Sequence, residues 1–241
     1  MTTLDCSSIE TARTSVAQLL GVTVEELRAR ARRLPTNEYL TEAQCTRALV
    51  AGGGIPAPTW VHWFHASRVV DPQSFVAEGI LPRSVMWPRI REHLQSLAVD
   101  IGATGSYPNA LSAGMKRGRM HEGPYAFLFR GVAVHAPDTT HNYHQAPEGV
   151  EDVAGKLVGA NYQQLVERYQ NVTVPCLVRF RTPTLDYAVE HAFRFVCVAE
   201  RCDELDAASA ANTCYDGDGR AVAPDDIIGV EILTAATRAV P

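Results

Sequence analysis

An α+β fold carried on an antiparallel sheet is the expectation from this sequence, and three observations support it. Strand-length apolar segments recur at residues 60–65, 123–130, 175–181, 192–199 and 227–233, while segments with helical spacing are short. The last two of these segments are separated by Tyr215-Asp216-Gly217-Asp218-Gly219-Arg220, a turn of the hairpin type. Strands and helices also do not alternate as a doubly wound parallel sheet requires.

A chain of 241 residues can bury a full core, as one domain with an appendage or as two small ones. Its 46% hydrophobic and 20% charged content is that of a globular protein in water. A formal net charge of −5 disfavours binding to nucleic acid through bulk charge and leaves only local basic patches for such a partner. The six cysteines (Cys6, Cys45, Cys176, Cys197, Cys202 and Cys214) form no Cys-x-x-Cys pair. The N-terminus lacks a basic region followed by an apolar core, so reduced thiols in a cytoplasmic protein are expected. Those thiols are expected mostly to pack as small apolar groups. No apolar run approaches bilayer length, and no membrane partner is expected.

Residues 1–50 are expected to be a helical N-terminal extension. Ser7 or Ser8 heads a helix through Ile9, Val16, Leu19 and Leu20 that stops at Gly21. Thr23 followed by Glu26 has the capping-box spacing and opens a second helix that ends before Pro35. Its Arg28, Arg30, Arg32 and Arg33, set against Glu25 and Glu26, are expected to form a solvated face. A third short helix runs from Thr41 to Val50. Residues 51–59, with Gly52, Gly53, Gly54, Pro56 and Pro58, are a linker to the α+β domain at 60–241. The glycines are not a phosphate loop, because no Lys-Ser/Thr follows them.

Residues 60–83, WVHWFHASRVVDPQSFVAEGILPR, organise the remainder of the chain. Val61, Trp63 and Phe64 set around His62 and His65 indicate a mostly buried strand. Pro72 suits a first helical position, where its missing N–H would be unpaired anyway, and Gly79 ends the short helix that carries Phe75 and Val76. Ile80-Leu81-Pro82 then resumes an extended path. Ile90, Leu94 and Leu97 predict a helix over 88–99. Residues 100–122 form a long irregular insertion that turns basic at Lys116, Arg117 and Arg119. A polar loop at 138–152 and a helix at 160–169, with Leu165 and Val166 inward, precede the last three strands.

The strand ending His65-Ala66-Ser67-Arg68, the short helix and Gly79-Ile80 together resemble the opening of the ADP-ribosyltransferase superfamily. The likeness is to its diphtheria-toxin-like and poly-ADP-ribose-polymerase-like branch, the His-Tyr-Glu type, whose strand ends His-Gly-Ser or His-Gly-Thr. Ala66 replaces that glycine, which keeps the backbone groups but crowds the pocket. Gly123-Pro124-Tyr125-Ala126 resembles the family's Gly-x-Tyr strand, and Val189-Glu190-His191-Ala192-Phe193 resembles its Glu at the head of a strand. The resemblance covers three short patches from Trp60 onward and nothing in residues 1–50.

It implies a split antiparallel sheet, NAD as substrate, cleavage of the nicotinamide–ribose bond and transfer of ADP-ribose to an acceptor. That acceptor is a protein, a nucleic acid or a small molecule. By the same resemblance, His65 bonds a ribose hydroxyl with Ala66 and Ser67 beside it, and Arg68 offers its fork to the pyrophosphate. Lys116, Arg117 and Arg119 are a second basic candidate for that phosphate or for a nucleic-acid backbone. Tyr125 or Tyr143 stacks on nicotinamide. Glu190 stabilises the oxocarbenium-like charge, with Glu148 and Glu151 as rivals. No metal is expected under this reading.

Two other classes stand beside it. His141, His144, Glu148 and Asp152 fall on one face if their segment is helical, a ligand set for a metal-dependent hydrolase. A non-catalytic binding module on the same fold would use residues 1–50 to engage its partner.

Overall fold

The computed structural model of the chain describes residues 2–35, 39–50, 52, 54–110, 122–136 and 141–234. Lys116, Arg117 and Arg119 therefore lie outside the described residues, as do parts of the 51–59 linker. Among the described residues, six strands form one sheet: β1 (Thr3–Leu4), β2 (Trp60–Val69), β3 (Tyr125–Phe127), β4 (Val174–Pro183), β5 (Cys214–Asp216) and β6 (Ile227–Ile232). Their order is β5-β3-β2-β4-β6, with β1 pairing parallel to β2 through Thr3 opposite Trp60 and Leu4 opposite Val61. β2 and β3 are antiparallel, with Phe64 opposite Phe127. The fold is α+β, as expected. Among the described residues, no helix is long and apolar enough to cross a membrane.

The chain divides into two compact units, and the division does not fall at the 51–59 linker. One unit comprises Met1–Phe64, Phe127–Ala133 and Phe180–Cys214, and the other comprises His65–Ala126, Val134–Arg179 and Tyr215–Pro241. The boundary passes through β2 and β4 themselves.

In the first unit the N-terminal helices form as their caps dictate. α1 (Ile9–Leu20) is capped by Ser8, whose hydroxyl accepts from the Thr11 N–H while the Thr11 hydroxyl accepts from the Ser8 N–H. It ends at Gly21, left-handed at φ 66°. α2 (Val24–Arg32) is capped by Thr23 through the Glu26 N–H, 3.1 Å away. α3 (Glu42–Val50) comes next. These helices bury Ala12, Val16, Leu27 and Leu49. Their partner is α9 (Asp186–Val198) in the same unit.

α9 corrects the sequence expectation of a strand at 192–199. It buries Ala188, Val189, Ala192, Phe193, Arg194, Phe195, Val196 and Cys197, the last six without a break. Asp186, Tyr187, Glu190 and His191 do recur at helical spacing outside the core, but Ala192–Cys197 is buried at every residue, and its run of Phe and Val mimics a buried strand. Each large side chain buried here contributes roughly 1.5–3 kcal/mol. α10 (Glu204–Ala210), capped by Asp203, completes the unit together with the start of α6 (Arg130–His135).

The arginines of α2 are exposed or half-buried, and Arg28 and Arg32 also reach across to a buried carboxylate. Arg28 Nε and Arg32 Nε lie 2.8 and 2.7 Å from the Glu200 carboxylate, and Arg13 Nη2 lies 2.6 Å from it. The Glu200 side chain is 3% exposed. Arg30 makes the expected i,i+4 pair, donating to Glu26.

The second unit holds α4 (Gln73–Glu78), α5 (Arg83–Leu97), α7 (Glu148–Val158) and α8 (Tyr162–Asn171). Leu94, Val150, Val153, Ala154, Val158 and Leu165 form its core, with Tyr169 at the edge. α5 starts five residues earlier than Pro88, which sits inside it. Its first turn is capped from a distance: the Arg83 N–H donates to the Glu122 carbonyl and the Ser84 N–H to the Glu122 carboxylate, both at 2.9 Å. Gly79 ends α4 at φ 77°, and a Cβ there would strike the Val222 carbonyl, which accepts from the Ile80 N–H at 3.1 Å. The turn after Tyr215 is not a hairpin between β5 and β6, which lie at opposite edges of the sheet. It folds instead onto residues 123–124, with the Gly217 N–H donating to the Pro124 carbonyl and the Gly219 N–H to the Gly123 carbonyl.

Candidate active site

Period-two alternation along β2 sets the orientation of its side chains. Val61 and Trp63 are buried on one face, where His65 follows them half-buried, and Phe64 and Ala66 are buried on the other. His65 Nδ1 lies 2.7 Å from the Tyr125 carbonyl oxygen. A carbonyl only accepts, so Nδ1 carries the proton and Nε2 is left as an acceptor. Burial pulls this imidazole below its ordinary value and so favours the neutral ring, against the hydrogen bond to Tyr125, which favours the charged one. Phe75 of α4 meets the ring edge-on, with centroids 6.1 Å apart.

Tyr125, whose carbonyl anchors His65, is itself 37% exposed. Burial pushes its phenol up; the carboxylates of Asp216, Glu148 and Glu122 push the same way, against the Arg83 guanidinium. Four charged groups from four segments thus converge on this tyrosine. The Arg83 guanidinium lies 4.4 Å from the centre of the Trp87 ring, and Lys156 Nζ lies 4.6 Å from the same ring. Arg83, Glu122, Asp216, Trp87 and Lys156 were not legible as site residues, because nothing local distinguishes them.

Arg68 is engaged within its own unit. Its Nε donates to the Thr173 hydroxyl, Nη1 to the His144 carbonyl, and Nη2 to the carbonyls of Gln170 and Thr173. A fork holding four acceptors of its own unit acts as a strut between β2, α8 and the 144 loop. Ala66 is 5% exposed, and the Ser67 carbonyl accepts from the Cys176 thiol at 3.8 Å.

Tyr143 sits in a turn, its ring edge-on to His141 with centroids 4.8 Å apart. The metal-ligand arrangement expected for this segment does not form as one helical face. Pro147 is the N-cap of α7, so His141 and His144 precede the helix that carries Glu148, Glu151 and Asp152. His141 Nε2 donates to the Ala146 carbonyl at 2.7 Å, and Asp152 is buried at 2% exposure. Among the described residues, no three of His, Cys, Asp and Glu gather as a metal-ligand set.

Glu190 is the fifth residue of α9, not the head of a strand, and belongs to the first unit. His65, Ala66, Ser67, Arg68, Tyr125, Tyr143, Glu148 and Glu151 belong to the second. The structure therefore links His65 to Tyr125 directly and Tyr125 to Glu148 through charge. The class these observations define is an α+β protein with a neutral histidine, a tyrosine and carboxylates gathered at one strand pair. No family model matches the chain, and no curated protein or solved structure matches it either.

Proposed function

We propose that this protein is an ADP-ribosyltransferase-like enzyme that cleaves the nicotinamide–ribose bond of NAD and passes ADP-ribose to an acceptor. The observation that supports it best is the His65 tautomer: with Nδ1–H given to Tyr125, Nε2 is an acceptor suited to a ribose hydroxyl. Tyr125 supplies an aromatic edge at the same place, and Tyr143 remains the second candidate for stacking on nicotinamide. Among the carboxylates, Glu148 is favoured to stabilise the developing positive charge, because its charge reaches Tyr125. Glu151 and Glu190 are the comparisons.

NAD titration with thermal melting, with released nicotinamide measured in the same samples, tests this reading. Saturable stabilisation together with nicotinamide release is the expected result. Glu148→Gln should keep the stabilisation and lose turnover by about 10²–10³-fold, since only the transition-state interaction is removed. Unchanged turnover in Glu148→Gln, with loss in Glu190→Gln, would move the role to Glu190. NAD that neither stabilises the protein nor is consumed would end the transferase reading.

A further inference from the structure

β6 is an end strand of the sheet, lies in the second unit, and among the described residues pairs with β4 alone. An end strand carries a row of backbone N–H and C=O groups outside the ladder, and proteins blunt such an edge by shortening it or by placing Lys or Pro on it. The opposite edge is short, since β5 has three residues. β6 has six residues, and none of them is Pro, Lys or Arg.

One hydrogen bond fixes which backbone groups face outward. The Leu233 N–H donates to the Pro175 carbonyl of β4 at 2.9 Å. Along a strand, the N–H and C=O of one residue point to the same side, and the side alternates from residue to residue. Glu231 and Gly229 therefore also turn these groups toward β4, while Ile228, Val230 and Ile232 turn theirs to the open edge. Period two places the same three side chains on one face. Ile228 is 37% exposed and Ile232 55%, with Val230 half-buried between them. The residues with outward backbone groups are thus also the apolar ones left at the surface.

We propose that this edge pairs with β6 of a second copy of the chain, antiparallel about a two-fold axis at Val230. Self-complementarity selects that partner. Val230 then faces Val230 of the second copy, and Ile228 faces Ile232 in both directions. Each of these pairs exchanges two backbone hydrogen bonds and joins β-branched side chains. Glu231, the one charged residue of β6, faces Gly229 of the second copy, so no like charges meet. The direction of the outward groups allows slips only in steps of two residues. A slip one way sets Glu231 against Glu231, and a slip the other way sets Asp226 against Ile232. The contact uses the same strand on both chains, so it closes at two copies.

Light scattering or sedimentation over a dilution series tests the pairing. The expected mass approaches twice the 26.3 kDa of one chain and falls toward one chain on dilution, because the contact is a single strand pair. Ile228→Lys with Ile232→Lys should abolish the dimer by setting like charges opposite each other. Ile228→Lys with Ile232→Glu should restore it, since opposite charges then meet, and thermal melting checks that both variants fold. On a background of Cys202→Ser and Cys214→Ser, which removes the exposed thiols, Val230→Cys should cross-link to itself on oxidation. Hydrogen-bonded antiparallel partners have Cα atoms about 5.5 Å apart, within disulfide reach. Ile228→Cys and Ile232→Cys should each fail alone and cross-link when mixed. The mass of one chain at every concentration would overturn the proposal, as would a dimer that the paired lysines leave intact. A monomer that dimerises only after residues 235–241 are removed would give the edge to the chain's own C-terminal segment, and would overturn it too. Self-cross-linking of Ile232→Cys would overturn the register.

Discussion

The two compact units hold arginine in different ways. In the first, Arg13, Arg28 and Arg32 converge on one carboxylate, Glu200, so charge is matched by charge. In the second, Arg68 is held by backbone carbonyls and a hydroxyl, so charge is matched by dipoles. The first arrangement depends on the ionisation of one acid. The second depends on the geometry of a planar fork and is indifferent to acid titration.

Glu200→Gln is expected to be the most damaging single change. It leaves three guanidiniums around a neutral group that is almost completely buried, at a cost of about 3 kcal/mol. A denaturant midpoint that barely moves would show that water replaces the carboxylate. The same contrast has a pH signature. Burial pushes the Glu200 carboxyl up, but the hydrogen bonds from Arg28 and Arg32 outweigh it and hold the group below its ordinary 4.5. The stability it contributes is therefore present above that value and lost as pH falls through the lower folded-state value.

Arg68→Lys is the next largest, at roughly 2 kcal/mol, because three flexible donors cannot satisfy four fixed acceptors. Thermal melting with and without NAD sharpens the point. A strut predicts lower stability with the NAD-induced rise retained. A variant of full stability that no longer responds to NAD would return Arg68 to the ligand.

Smaller effects should rank the three Glu200 partners by exposure. Arg13, with its side chain 11% exposed, should matter more than Arg32 at 59%. Arg32→Ala is expected to cost less than about 1 kcal/mol and to cost less still in high salt. The smallest effect concerns His65. Its imidazole should titrate below 6.5 by NMR, with stability falling as pH drops from 6.5 toward that midpoint, because the unfolded chain takes up the proton first. A midpoint above 6.5 would break the tautomer argument.

Local signals set the chain's start and its principal strand. Ser8, Thr23 and Gly21 act within four residues of themselves, so their caps follow from sequence, and alternation places His65 on β2. The roles of the arginines could not be read that way. Arg13, Arg28 and Arg32 find Glu200 at separations of 187, 172 and 168 residues, and the His65 anchor lies 60 residues away. An arginine beside a glutamate four residues off has a visible partner; one whose acceptors are carbonyls of a distant helix does not.

The limit is clearest in α9 and the candidate carboxylates. The amino-acid order carried the α+β class, the N-terminal caps and the strands around His65, because each rests on propensity or periodicity within a few residues. Tertiary packing decided that 192–197 continue a helix, since six consecutive buried residues show no stripe within that run. It also gathered Glu148, Glu122, Asp216 and Arg83 around Tyr125. Charge acts through space, and distances through space appear only when the chain has closed on itself.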